Sequence, residues 1–174
     1  MSSLRKLVLL PGFNGAARQP LLVKVAKAAG SGFAAEYPGM PGGRPSPGFE
    51  RELAHLASHL TSRGVPFFVG RSFGGRIALR HALSHRVGAL VLLGFPVRPA
   101  GRPRPDDEAA LLAVRVPTLI VQGDADDKGP LEVLRPLVAK NPALTLEVLE
   151  GVGHSFGRRE GRAVELAVEF LRRR

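Results

Sequence analysis

Residues 66–83 read Pro66-Phe67-Phe68-Val69-Gly70-Arg71-Ser72-Phe73-Gly74-Gly75-Arg76-Ile77-Ala78-Leu79-Arg80-His81-Ala82-Leu83. The first four residues form a short apolar run of strand type, and the stretch from Gly75 onward reads as a helix. Between them, Gly70-Arg71-Ser72-Phe73-Gly74 must turn the chain from strand to helix with no residue to spare. A turn this tight strains the backbone of its central residue, and glycines two positions to either side relieve the crowding. The pattern is G-x-S-x-G. It lifts the Ser72 hydroxyl above the edge of a sheet. The helix that begins there points free N–H groups and the positive end of its dipole at the same spot.

The remainder of the chain repeats that rhythm. Short apolar runs at 6–10, 33–37, 66–69, 89–93, 118–122 and 144–149 predict strands, and amphipathic stretches at 20–29, 49–63, 74–84, 131–140 and 161–173 predict helices. Leu53, Leu56, Ala57 and Leu60 fall at i, i+3, i+4, i+7, as do Val164, Ala167, Val168 and Leu171, so each of those helices has one stripe to bury. Buried strands alternating with helices predict an α/β protein with a doubly wound, mainly parallel sheet of about six strands and helices on both faces. Two stretches, 37–48 and 94–105, are too rich in Pro and Gly for helix interiors or sheet centres and read as loops.

The 174 residues suit one compact domain, 1–174. Hydrophobic and charged fractions of 44% and 23% are those of a soluble globular chain. The N-terminus runs into a strand with no signal segment, so the expected location is cytoplasmic, with no membrane partner. The absence of cysteine excludes disulfides, thiolate metal sites and thiol nucleophiles. A net charge of +10 raises the question of nucleic acid. The arginines are dispersed and lack aromatic interleaving, so a solvated basic surface is expected and a nucleic-acid partner is not.

A serine hydroxyl needs a neighbouring base to become a nucleophile at neutral pH. Of five histidines, His55, His59, His81 and His85 lie in helical segments and read as solvent-facing. His154, in Gly151-Val152-Gly153-His154-Ser155-Phe156, follows the last strand, at the sheet edge where open parallel sheets bind ligands. The two i,i+4 histidine pairs lack the H-E-x-x-H pattern, and no metal is expected. A carboxylate to orient the imidazole should come from Gly123-Asp124-Ala125-Asp126-Asp127 after the fifth strand. Asp126, three residues after Gly123, is the first choice; Asp124 is the rival, and Asp127 reads as solvated or as a helix cap.

The order Ser72, Asp126, His154 is that of α/β-hydrolases. With Gly70-Arg71-Ser72-Phe73-Gly74-Gly75-Arg76, the chain resembles a compact member of that superfamily, close to a small dienelactone-hydrolase-like branch that includes testis-expressed proteins. The resemblance spans Leu7 to the last helix. It implies a serine hydrolase acting on a small carboxylic ester, thioester or related acyl bond through an acyl-enzyme, with no cofactor. It also implies an oxyanion hole from the Phe73 main-chain N–H and one from Leu10-Pro11-Gly12-Phe13-Asn14-Gly15. Members often carry His-Gly where this chain has Pro11-Gly12; Phe13 is the candidate second donor, with Asn14 as a side-chain alternative.

The proline-rich interval 94–116 has no room for a helical lid, so an open cleft is expected, walled by Met40, Phe13, Phe73 and Phe95. Arg71 and Arg98 are expected to add positive charge there, suiting a small or acidic acyl substrate. A non-catalytic, protein-binding version of the same fold is the alternative. The sequence assigns no oligomeric state.

Overall fold

The computed structural model describes residues 4–60 and 64–174. Residues 61–63, the end of the predicted second helix, and 1–3 lie outside them. Six strands, β1 (Arg5–Leu10), β2 (Phe33–Glu36), β3 (Phe67–Arg71), β4 (Ala89–Leu93), β5 (Thr118–Gly123) and β6 (Leu144–Leu149), form one sheet in the order β2-β1-β3-β4-β5-β6. Every pairing is parallel. The helices are α1 (Pro20–Ala29), α2 (Glu50–His59), α3 (Phe73–Ala82), α4 (Pro105–Ala113), α5 (Leu131–Lys140) and α6 (Glu160–Arg172).

Strand alternation sorts the core into two layers. Leu7, Leu9, Val69, Val91 and Val121 face α1 and α6, while Val8, Leu10, Phe68, Leu92 and Ile120 face α3, α4 and α5. Both faces are covered, which explains why β3, β4 and β5 are buried at every position rather than at alternate ones. The chain winds from β1 outward to β2, then returns to β3 on the other side of β1. The reversal opens a crevice above the carboxyl ends of β1 and β3. Among the described residues, no helix is long and apolar enough to cross a membrane.

Two sequence readings need correction. The interval 94–116 contains a helix, α4, that the proline density masked. Pro105 occupies its first turn, where proline's missing N–H costs nothing, and Asp106, Asp107 and Glu108 complement its dipole. Ala110 and Leu111 bury it in the core beside α3 and α5. His81 does not face solvent: it is 3% exposed, packed on the Phe68 ring and stacked on His85 at 4.1 Å.

Close approach at the elbow depends on glycine. A Cβ on Gly74 would lie 2.6 Å from the Pro11 carbonyl oxygen, and one on Gly70 would lie 2.7 Å from the Gly74 carbonyl carbon. Alanine normally gains about 1 kcal/mol over glycine inside a helix. At Gly74 the obstruction is main chain, which cannot swing aside, so the overpacking cost of about 1–3 kcal/mol wins. Gly74→Ala therefore lowers the urea midpoint; an unchanged or raised midpoint would contradict the packing. Burial, reinforced by His85, pushes His81 down to about 4. The unfolded chain takes up this proton near pH 6.5 while the folded chain refuses it. Stability is thus full above about pH 6.5 and declines toward pH 4, and His81→Phe flattens that limb in a series of urea titrations across the range.

Candidate functional site

Ser72 stands between the last residue of β3 and the first of α3 with φ 49° and ψ −110°. Its N–H donates to the Leu93 carbonyl at 2.9 Å, and its own carbonyl accepts from Gly75 N–H at 3.0 Å. The backbone is therefore tied to β4 on one side and to the helix on the other. The hydroxyl emerges at the crevice, 3.0 Å from His154 Nε2.

His154 Nδ1 lies 2.8 Å from Asp126 Oδ2. A carboxylate can only accept, so Nδ1 carries the proton and Nε2 offers its lone pair. Arg71 fixes the same tautomer from the other end. Its Nη1 lies 3.3 Å from Nε2 and can only donate, while Nη2 donates to the His154 carbonyl at 2.6 Å and Nη1 to Leu93 O at 3.2 Å. The guanidinium sits over the buried Phe156 ring, 5.5 Å from its centroid. Burial pulls Arg71 below its ordinary value, with the negative charges of Asp126 and Glu160 working against the shift.

Asp126 is 2% exposed. Its Oδ2 also accepts from Gln122 Nε2 at 2.7 Å, and Oδ1 from the Lys128 N–H at 2.9 Å. Gln122 is held in turn, accepting from Phe95 N–H at 2.9 Å and donating to Gly129 O at 3.0 Å. Burial alone would raise the Asp126 carboxyl. The hydrogen bond and charge of His154, with the main-chain N–H groups of Lys128 and Gly129, outweigh it and hold the group below the usual carboxylate value. The rival, Asp124, does other work: its Oδ1 accepts from Gly151 N–H at 2.8 Å, lacing the aspartate loop to the histidine loop. Ala125 N–H to Val152 O, at 3.1 Å, adds a second stitch.

The two residues expected to supply the oxyanion donors, Phe13 and Phe73, both line the cleft. Phe13, 55% exposed, and Phe73 meet edge to face with centroids 5.9 Å apart. Phe13 lies in a turn closed by Gly15 N–H to Gly12 O at 2.9 Å, and Gln19 Oε1 anchors the Gly12 N–H at 3.1 Å. Phe73 opens α3, where a helix leaves its first N–H groups free.

A cleft of about 370 Å³ is lined by Phe13, Pro45, Ser72, Phe73, Arg76, Pro96, Pro99, Arg104 and Lys128. Of the expected wall residues, Phe13 and Phe73 line it and Met40 and Phe95 do not, and neither do Asn14, the side-chain alternative of the oxyanion loop, and Arg71. Phe95 is 0% exposed and packs under the elbow, leaving Pro96 to face the cleft. Met40 packs against the α3-side core, Asn14 points to solvent in its turn, and Arg71 is buried beneath His154. Arg98 is spent on Glu108 at 2.8 Å. Sequence reading missed Gln122, Arg76, Arg104 and Lys128. Only Gln122 left a signal, as a long polar side chain directly after the apolar run Leu119–Val121.

The family model described as alpha/beta hydrolase domain matches residues 40–170. Comparison with curated protein sequences gives no match. Among solved structures, Est1E from Butyrivibrio proteoclasticus superposes with a TM-score of 0.78 at 18% identity, over 97% of this chain and 87% of that one. An alpha-beta serine hydrolase homologue from Coxiella burnetii gives 0.75 at 25% identity, over 95% and 84%. Carboxylesterase CesB from Bacillus subtilis gives 0.73 at 13% identity, over 98% and 85%.

The depressed carboxyl of Asp126 has a stability consequence. Its contribution is present above the unfolded value near 3.9 and is lost as pH falls through the folded one. Asp126→Asn is expected to be less stable than the parent by about 1.5–3 kcal/mol at pH 7, the range for hydrogen bonds to charged groups. Urea unfolding at pH 7 and at pH 3 checks it: the gap narrows at the lower pH, and a constant gap would refute the assignment.

Proposed function

The chain belongs to the alpha/beta hydrolase domain family, and from that premise we propose that it is a serine hydrolase cleaving a small carboxylic ester, thioester or related acyl bond through an acyl-enzyme on Ser72. The observation that carries the reading is the relay from Ser72 Oγ to His154 Nε2 at 3.0 Å and from Nδ1 to Asp126 at 2.8 Å, open to a cleft at the carboxyl edge of the sheet.

Ser72 Oγ attacks the acyl carbon as its proton passes to His154 Nε2, giving a tetrahedral oxyanion. The Phe73 and Phe13 N–H groups receive the oxyanion charge. Asp126 stabilises the imidazolium and keeps the ring from rotating. Collapse breaks the acyl bond, and the Nε2 proton leaves with the alcohol or thiol. Water then attacks the acyl-enzyme, yielding its proton to Nε2, and a second collapse returns that proton to Ser72 and releases the acid. Arg71 has two opposed effects on this cycle. Its charge beside Nε2 disfavours the imidazolium, while its grip on the His154 carbonyl holds the ring in place. Asp126, at hydrogen-bond distance from the same ring, offsets the unfavourable charge.

A fluorophosphonate probe should label the parent and leave Ser72→Ala unlabelled. Ester turnover is expected to fall about 10⁴-fold or more in Ser72→Ala and in His154→Ala. An inert protein-binding fold would neither label nor turn over, and labelling that persists in Ser72→Ala would falsify the nucleophile.

A further inference from the structure

The cleft beside Ser72 has a lining of two kinds. Phe13, Phe73, Pro45, Pro96 and Pro99 form apolar wall, and the polar lining apart from Ser72 consists of Arg76, Arg104 and Lys128. No Asp or Glu lines it among the described residues. Arg76 gives its Nε–H to Asp107 Oδ2 at 2.6 Å, and the same buried carboxylate accepts from Arg80 Nη2 at 3.0 Å. Asp107 is fully buried and lies behind the cleft lining. Arg104 is steered by Nη1 donating to Pro96 O at 2.9 Å, and it borders the same small pocket as Arg76, Arg80 and Asp107. Burial, and then the charge of Arg76, pull Arg104 below its ordinary value, with Asp107 opposing. Three guanidinium groups thus border a pocket that holds two carboxylates, the buried Asp107 and the exposed Asp106, so positive charge remains in excess. Lys128, two residues beyond Asp126, has no ion-pair partner among the described residues.

We infer that Arg76, Arg104 and Lys128 form an anionic subsite of this cleft, which selects esters or thioesters carrying a carboxylate a few bonds from the scissile carbonyl. The inference rests on the serine hydrolase reading above and names its substrate class. A bound carboxylate supplies the negative charge that this cluster lacks. The apolar walls lower the local dielectric, which strengthens the pairing relative to one in open solvent. The position is set by the same elements as the chemistry: Arg76 is four residues after Ser72 on the first turn of α3, and Lys128 is on the loop that carries Asp126. A volume of about 370 Å³ is at the small end for ligand pockets, which excludes polyanions such as nucleic acid from entering it. The anion is recognised beside the reacting carbon, not by the basic surface at large.

The test compares matched ester pairs. Monomethyl succinate is set against methyl 4-methylpentanoate, and O-acetylglycolate against isobutyl acetate; in each pair an isopropyl group replaces the carboxylate at similar volume, on the acyl side in the first and the alcohol side in the second. In the parent, kcat/KM for the anionic member of at least one pair exceeds that of its neutral partner by about tenfold, corresponding to the lower range for hydrogen bonds to charged groups. The excess shrinks as salt is raised from 20 mM to 500 mM, probe concentrations chosen at roughly a 20 Å and a 4 Å Debye length. The ratio falls in Lys128→Gln and in Arg104→Gln, mainly through KM, and Lys128→Arg restores it. Fluorophosphonate labelling of Ser72 in each variant confirms that the fold and nucleophile persist. If the neutral esters are turned over as fast as both anionic partners, or the ratio is unmoved in both variants, the subsite is overturned while the hydrolase reading stands. If no ester is cleaved and Ser72 does not label, the hydrolase reading falls and takes the subsite with it.

Discussion

Ser72 is held in a backbone conformation that L-residues avoid, and the molecule is arranged to keep it there. A strained φ/ψ of this kind costs on the order of 1–3 kcal/mol. It persists because α3 is seated so closely on β1 and β3 that no relaxed alternative fits. Gly70, Gly74 and Gly75 have no side chains to hold the helix off, and the Leu93 carbonyl pins the Ser72 N–H from the neighbouring strand. Two core layers clamp the sheet beneath. The strain is therefore maintained by packing spread over the whole domain face, and its product is one hydroxyl standing clear of the sheet.

What surrounds that hydroxyl is an exchange of hydrogen bonds among loops from four strands. The β5 loop brings Asp126, the β6 loop brings His154, β3 supplies Arg71 and β4 the carbonyl that receives it. Each loop is secured to another: Asp124 to Gly151, Ala125 to Val152, Gln122 to both Phe95 and Gly129. A histidine ring must be placed within a few tenths of an ångström to bridge a hydroxyl and a carboxylate at once. Neither loop could do that alone, and the lacing between them supplies the precision. Arg71 shows how one residue can serve placement while opposing charge, since it grips the His154 carbonyl and presents a cation to the ring.

The charge distribution has a similar division. The overall excess of ten positive charges carries little information by itself. Locally, Arg76 on α3 is held by the buried Asp107 and Arg104 by the Pro96 carbonyl, both in the lining of the crevice, and Lys128 arrives from the β5 loop. Expectation placed Arg71 and Arg98 in that role. The first is consumed in holding His154 and the second in pairing with Glu108, because a guanidinium near buried carbonyls or a carboxylate will satisfy its donors there before it reaches a cleft.

Local chain chemistry determined a good deal. Apolar runs of four to six residues, amphipathic stretches between them and a five-residue turn with glycines at its ends suffice for a parallel α/β sheet. Each of those signals is a matter of neighbouring residues and period. Strand β4 and helices α1 and α5 fall where their patterns put them. The elbow placed Ser72, and chain order at strand ends drew attention to His154 and the aspartate loop. Helix α4 was legible too, in Pro105 followed by three acids, but the prolines before it obscured the signal. Only the tertiary structure decided which aspartate meets His154, that Phe95 and His81 are interior, that Gln122 supports Asp126, and which cations face the crevice. Those facts depend on which side of a strand or loop a residue turns toward once distant segments close on it. Asp124 and Asp126 are chemically equivalent in the chain, and they part company only when the β6 loop, 27 and 28 residues further along at the two contacts, packs against the turn that holds them.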